Sequence, residues 1–148
     1  MRFMLMVRAN QDTEAGIPPT PEIVTKMMAF NEEMVKAGVL LAGDGLHPSS
    51  RGAMVRFSGG KHRVIDGPYA EAKELIAGFW IIQAGSLAEA VAWASRVPSG
   101  DDHLGGELAI EVRQLFDMSD FPDDVRAVGE AKEGELKAEM ARQQAARS

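Results

Sequence analysis

The sequence predicts an α+β domain in the order strand, helix, strand, hairpin, strand, helix, strand. Three observations carry this. Ile23, Met27, Phe30 and Met34 recur every three or four residues, as one face of a helix requires. Short runs rich in apolar and β-branched residues flank that helix and a second helical stretch, as strands would. Gly59-Gly60, between "AMVRF" and "HRVI", can take positive φ at both central positions of a tight hairpin turn.

"RFMLMVR" (2–8) is apolar on both faces between charged ends, which suits an inner strand covered on both sides. "ANQDTEAGIPP" reads as a polar loop. Thr20-Pro21-Glu22 then supplies an N-cap, a proline at the first helical position and an acid in the first turn. Val24, Met28 and Val35 widen the apolar stripe of this helix, and Gly38 closes it at the C′ position. "VLLAGDGL" (39–46) reads as a second strand ending in a Gly-Asp-Gly turn. After the hairpin, "DGPY" turns the chain into the strand "IAGFWIIQ" (76–83). Ser86 and Glu89 form a capping box for the second helix. Leu87, Ala90, Val91 and Ala94 give that helix its buried face, and Pro98 stops it. In "GELAIEVRQLF" the alternation from Leu108 to Val112 marks the last core strand.

Two helices, each followed by a return strand, match the ferredoxin-like βαββαβ plan with an added hairpin. Such a sheet carries helices on one face only. The other face would be bare and apolar, so a second copy of the chain is expected to cover it as a homodimer. The core domain is expected over residues 1–122. Residues 123–148 lack aromatics and contain Gly129 and Gly134, so they read as a polar tail, helical or frayed.

The 148 residues carry 16 basic and 22 acidic side chains, a net charge of −6. An acidic chain without a basic cluster has no general attraction to nucleic acid. No apolar run reaches the roughly 18 residues of a membrane span. The N-terminal run reads as a strand and not as a signal peptide. With no cysteine there is no disulfide, thiolate metal site or cysteine nucleophile, which suits the cytoplasm.

Asp66-Gly67-Pro68-Tyr69 is the most distinctive stretch. It reads either as a rigid turn or as a device that presents the Asp66 carboxylate and the Tyr69 hydroxyl at the mouth of the sheet. Glu71 and Glu74 follow three apart, on one face of any helical turn, with Lys73 between them. Carboxylates crowded in a cleft would acquire a raised pKa and could act as a general base; on a solvated face they would do nothing of the kind. His47, His62 and His103 show no zinc spacing, so no metal is expected, and the glycine-rich stretches lack the context of a nucleotide cofactor site. His47, near the end of the second strand, could reach a cleft, and Trp80 could line one or simply pack.

Together, "RFMLMV", "AGVLLAGDGL", "DGPYAEAKELIAGFWII" and "GELAIEVRQLFDMSDF" resemble the YCII-related superfamily, and within it the DGPF-domain branch, from Arg2 to Pro122. Tyr69 stands where that branch has Phe, and His47 where a Gln is expected. The resemblance implies subunits that pair into a dimeric α/β barrel and small-molecule binding in a cleft; from the residues themselves, no cofactor is expected. It makes Asp66, Glu71 and Lys73 candidates for acid–base chemistry, with Asp66 or Glu71 as base and Lys73 as electrostatic clamp. Tyr69, Glu74, Trp80 and His47 become candidates for ligand contact. The His–Asp pair suspected in YciI-like proteins has no matching histidine here. The alternative is a non-catalytic dimerisation or ligand-sensing module in which the turn is structural.

Overall fold

A computed structural model describes residues 1–98 and 107–148; His103 and Gly106 lie outside them. The described residues form two compact units, Met1–Leu115 and Phe116–Ser148. The first holds β1 (Arg2–Arg8), α1 (Gln11–Glu14), α2 (Pro21–Lys36), β2 (Leu40–Gly45), β3 (Ala53–Ser58), β4 (Lys61–Asp66), β5 (Ile76–Gln83), α3 (Leu87–Ala94) and β6 (Ile110–Gln114). The main sheet is antiparallel with order β2-β5-β1-β6, the ferredoxin-like arrangement; β3 and β4 pair as a separate ribbon.

Register decides which side chains meet the helices. Phe3 and Leu5 of β1 stand opposite Ile82 and Trp80 of β5, and all four are buried. Ile23, Phe30 and Met34 of α2 and Ala90 of α3 cover this face, with Trp93 and Ala94 packed alongside. The Phe30 and Trp80 rings meet edge to face at 5.6 Å, a favoured aromatic geometry. Met4 and Met6, opposite Ile81 and Phe79, point to the other face and are half-buried.

The ends of α2 follow local chemistry. Thr20 Oγ1 accepts the Ile23 N–H at 3.3 Å. At the far end Gly38 (φ 72°) donates to the Val35 carbonyl and Val39 to that of Met34, a Schellman closure. In the ribbon, Gly59 and Gly60 take φ of 57° and 76°, as a type I′ turn needs.

Several expectations are corrected. The 9–19 stretch is not all loop: Asn10 Oδ1 accepts the Thr13 N–H and Thr13 Oγ1 accepts the Asn10 N–H, and this reciprocal cap starts α1. Gly43-Asp44-Gly45 is no turn; it is paired strand, with Gly43 opposite Trp80 and Gly45 opposite Gly78. Val24, Met28 and Val35 do not widen the buried stripe of α2 but are exposed, Val24 and Met28 because they border an open cleft between α2 and the sheet. On α3, Leu87 and Val91 are likewise exposed, and Ala90, Trp93 and Ala94 face inward. Ser86 Oγ caps Glu89 N–H, but the Glu89 carboxylate returns to the N–H of Gly85, one residue before the position a capping box uses.

In the second unit, Asp123–Arg147 form one unbroken helix, α4, despite Gly129 and Gly134. Pairs one turn apart support it: Lys137 with Glu133 at 2.8 Å, Lys132 with Glu135 at 3.3 Å, and Arg142 with Glu139. Among the described residues, no helix is long and apolar enough to cross a membrane.

Candidate ligand-binding cleft

On the helix-covered face, the β2–β5 side of the sheet carries glycine at three positions. By register Gly43, Gly45 and Gly78 all point to the side where α2 lies. None of the three has positive φ, so their use here is space and not backbone freedom. A Cβ on Gly43 would lie 2.8 Å from Trp80 Cδ1, so that glycine admits the indole over β2. A Cβ on Gly45 would meet nothing within 4 Å. The result is a cleft of about 760 Å³ between this glycine floor and α2.

The walls are mainly apolar. Ile17, Ile23, Val24, Met27, Met28, Leu46 and Trp80 line the cleft, which explains why Val24 and Met28 are exposed on a core-facing helix. The polar lining residues are Arg8, Asn10, Thr13, Asn31, Asp44, His47 and Glu107. Asn31 Oδ1 accepts the Trp80 indole N–H at 2.8 Å, holding that ring upright. Arg8 donates to Glu111 at 3.3 Å and to the Lys73 carbonyl. His47 also lines the cleft, with Arg51 Nη1 at 3.2 Å from Nδ1 and 3.1 Å from Nε2.

The segment bearing His47 is pinned from two sides. Ser49 is buried, and its N–H donates to the Glu14 carboxylate at 3.0 Å while its hydroxyl donates to the same group. From the other side comes the Asp66–Tyr69 turn. Gly67 N–H donates to the Gly52 carbonyl at 3.0 Å. A Cβ on Gly67 would lie 1.6 Å from the Ser49 carbonyl oxygen. The Tyr69 ring lies against Gly52, with Cε1 3.9 Å from where a Cβ there would stand.

The site residues expected from sequence therefore separate. His47 and Trp80 line the cleft. Tyr69 is half-buried behind the 49–52 turn. Asp66 ends β4, exposed, opposite Ala53. Glu71 and Lys73 pair with each other at 3.3 Å in solvent, and Glu74 is exposed beside them. Asp66, Tyr69, Glu71, Lys73 and Glu74 are not among the lining residues. What connects this segment to the cleft is backbone: the Lys73 carbonyl to Arg8, and Gly67 to the 49–52 turn.

Sequence reasoning missed the glycine floor, Asn31 and Glu14. The first had a signal: two glycines at a spacing of two in a strand leave one face empty. Asn31 and Glu14 had none, since their partners are 49 and 35 residues away. Among the described residues, no three His, Cys, Asp or Glu side chains gather to hold a metal ion.

The YCII-related domain matches residues 1–119. An uncharacterized protein of Rhizobium meliloti (strain 1021), R00369, is 34% identical over 93 residues, which is 63% of this chain and 73% of that protein. The chain belongs to the YCII-related family.

Proposed function

We propose that the protein binds a small organic molecule in the cleft between α2 and the β2–β5 floor, and that the Asp66–Tyr69 turn braces the cleft wall. The carrying observation is the floor itself. Of the three glycines that face α2, Gly43 carries the Trp80 indole, Gly78 admits the Asp44–Gly45 backbone, and Gly45 opens onto empty space beside a cleft of about 760 Å³. Small-molecule sites have roughly this size, mostly apolar walls and a few converging polar groups. A ligand with an apolar body would lie along Met28 and Trp80. Its polar atoms would meet the Asn31 amide, the His47 ring and the Arg8 guanidinium. An acid–base role for Asp66 or Glu71, with Lys73 as clamp and Tyr69 and Glu74 as ligand contacts, would need a ligand bound outside this cleft.

The same reading includes a homodimer. Met4, Met6, Phe79 and Ile81 share the sheet face turned away from α2 and α3 and are only half-buried in one chain. A second copy laid on that face would form the dimeric α/β barrel.

The test is a thermal-shift screen of small carboxylates, lactones and phenolic acids on the wild type and on Gly45→Leu. A Cβ at Gly45 meets nothing within 4 Å, so the leucine side chain starts into the open cleft, and an unchanged circular dichroism spectrum checks that the variant folds. Compounds that raise the wild-type Tm and leave the variant unmoved support the reading. Equal shifts in both proteins would remove it.

A further inference from the structure

The β3–β4 ribbon stands apart from the sheet it interrupts. A two-stranded ribbon is at best marginally stable alone and needs a surface to pack on. Its register puts Val55, Phe57, Val64 and His62 on one face. Those apolar side chains are open to solvent: Val55 is 49%, Val64 58% and Phe57 81% exposed. On the other face Arg56 stands directly opposite Arg63, a like-charge pairing that disfavours the ribbon unless an anionic surface offsets it. Among the described residues, Arg56, Lys61 and Arg63 form no ion pair.

From this we infer that the ribbon is an arm that docks on a second copy of this chain. Charge selects the occupant. Residues 53–66 hold Arg56, Lys61 and Arg63 against Asp66 alone, a net +2, so a chain of net −6 carries −8 everywhere else. The arm therefore meets its own chain's body with opposite charge, while Val55, Phe57 and Val64 supply the apolar area that gives affinity. Reciprocal docking buries both arms and satisfies twofold symmetry, each ribbon lying on the other subunit. This contact is separate from the open sheet face and does not depend on any ligand in the cleft.

Sedimentation equilibrium of the full chain tests it, on the wild type, Phe57→Glu, the double variant Arg56→Glu/Arg63→Glu, and Met6→Glu on the sheet face. Phe57, Arg56 and Arg63 are exposed, so circular dichroism should confirm that these variants fold. The expected result is a dimer Kd raised at least about tenfold by Phe57→Glu, a loss typical of an exposed aromatic anchor. The double variant should weaken the dimer in the same direction, and raising NaCl should weaken the wild type. A wild type that stays monomeric at high concentration overturns both the arm and the sheet-face dimer. A Kd raised by Met6→Glu but untouched by Phe57→Glu overturns the arm alone. Unchanged association with loss of heparin binding in the double variant would also overturn it, and would name a polyanion as the occupant.

Discussion

Gly67 sits so close to Ser49 that a Cβ on the glycine would lie 1.6 Å from the Ser49 carbonyl oxygen and 2.5 Å from its carbon. Both atoms are backbone, so nothing flexible can yield. The Asp66–Tyr69 turn is therefore keyed to the segment that carries His47. Gly67→Ala should cost about 1–3 kcal/mol or more, as other overpacked positions do. Gly52→Ala is the control, since its Cβ would stand an ordinary 3.5 Å from the Ser49 oxygen. Urea midpoints of the two variants at unchanged slope are the measurement. Equal midpoints would mean that the turn is not keyed there.

Glu14 holds the same segment from the α1 side. Its carboxylate is the acceptor for both the N–H and the hydroxyl of buried Ser49. Glu14→Ala leaves two buried donors without that acceptor, and each such loss costs about 1–3 kcal/mol. The midpoint should fall accordingly, and any ligand found for the cleft should bind more weakly as the His47 wall loosens. Glu14→Gln, which keeps one acceptor oxygen, should recover part of the stability.

The order of strands and helices is legible because each rests on a local period: three or four residues in Ile23–Met34, two in Leu108–Val112. The hairpin is legible for the same reason, since positive φ at Gly59 and Gly60 is a property of two adjacent residues. The cleft is harder because a glycine has two meanings. Gly43 and Gly45 read equally as a turn or as an absence of side chain, and only pairing with Trp80 and Gly78 separates these. The charged stretch 71–74 shows the opposite difficulty. Its ionisable groups attract functional readings, yet the atom that reaches a cleft residue is the Lys73 carbonyl, which every residue type possesses.

Lys73 and Glu71 pair at 3.3 Å with their side chains 77% and 74% exposed. Exposed pairs are worth little. Lys73→Ala keeps the carbonyl that Arg8 uses, so its stability should stay within about 0.5 kcal/mol of wild type. Any ligand-induced thermal shift from the cleft should also be unchanged. A ligand that stabilises the wild type but not Lys73→Ala would instead place the lysine in the binding site.

Glu139 of α4 has its carboxyl held below the ordinary range, chiefly by Arg142 and then by Gln143. A folded-state pKa lowered in this way favours the helix fully above the unfolded-state value. That contribution is lost as the pH falls through the folded one. Far-ultraviolet circular dichroism should therefore show helix content declining on acidification through the carboxylate range, and Glu139→Gln should flatten that decline. A variant with the wild-type acid profile would detach the pair from the stability of α4.

Gly43 gives the most direct reading of the floor. Its Cβ would stand 2.8 Å from Trp80 Cδ1 and 3.3 Å from the Phe79 carbonyl oxygen. Gly43→Ala must therefore push the indole off β2, and the bond from Trp80 Nε1 to Asn31 Oδ1 stretches with it. The neighbouring Gly45→Ala meets empty space and should leave stability within about 0.5 kcal/mol of wild type. Gly43→Ala should cost about 1–3 kcal/mol, as overpacking does. It should also alter tryptophan emission relative to Gly45→Ala, because the indole of a buried residue changes its surroundings. Identical midpoints and spectra for the two alanine variants would show that the indole does not rest on Gly43 and that the cleft floor is shaped by something else.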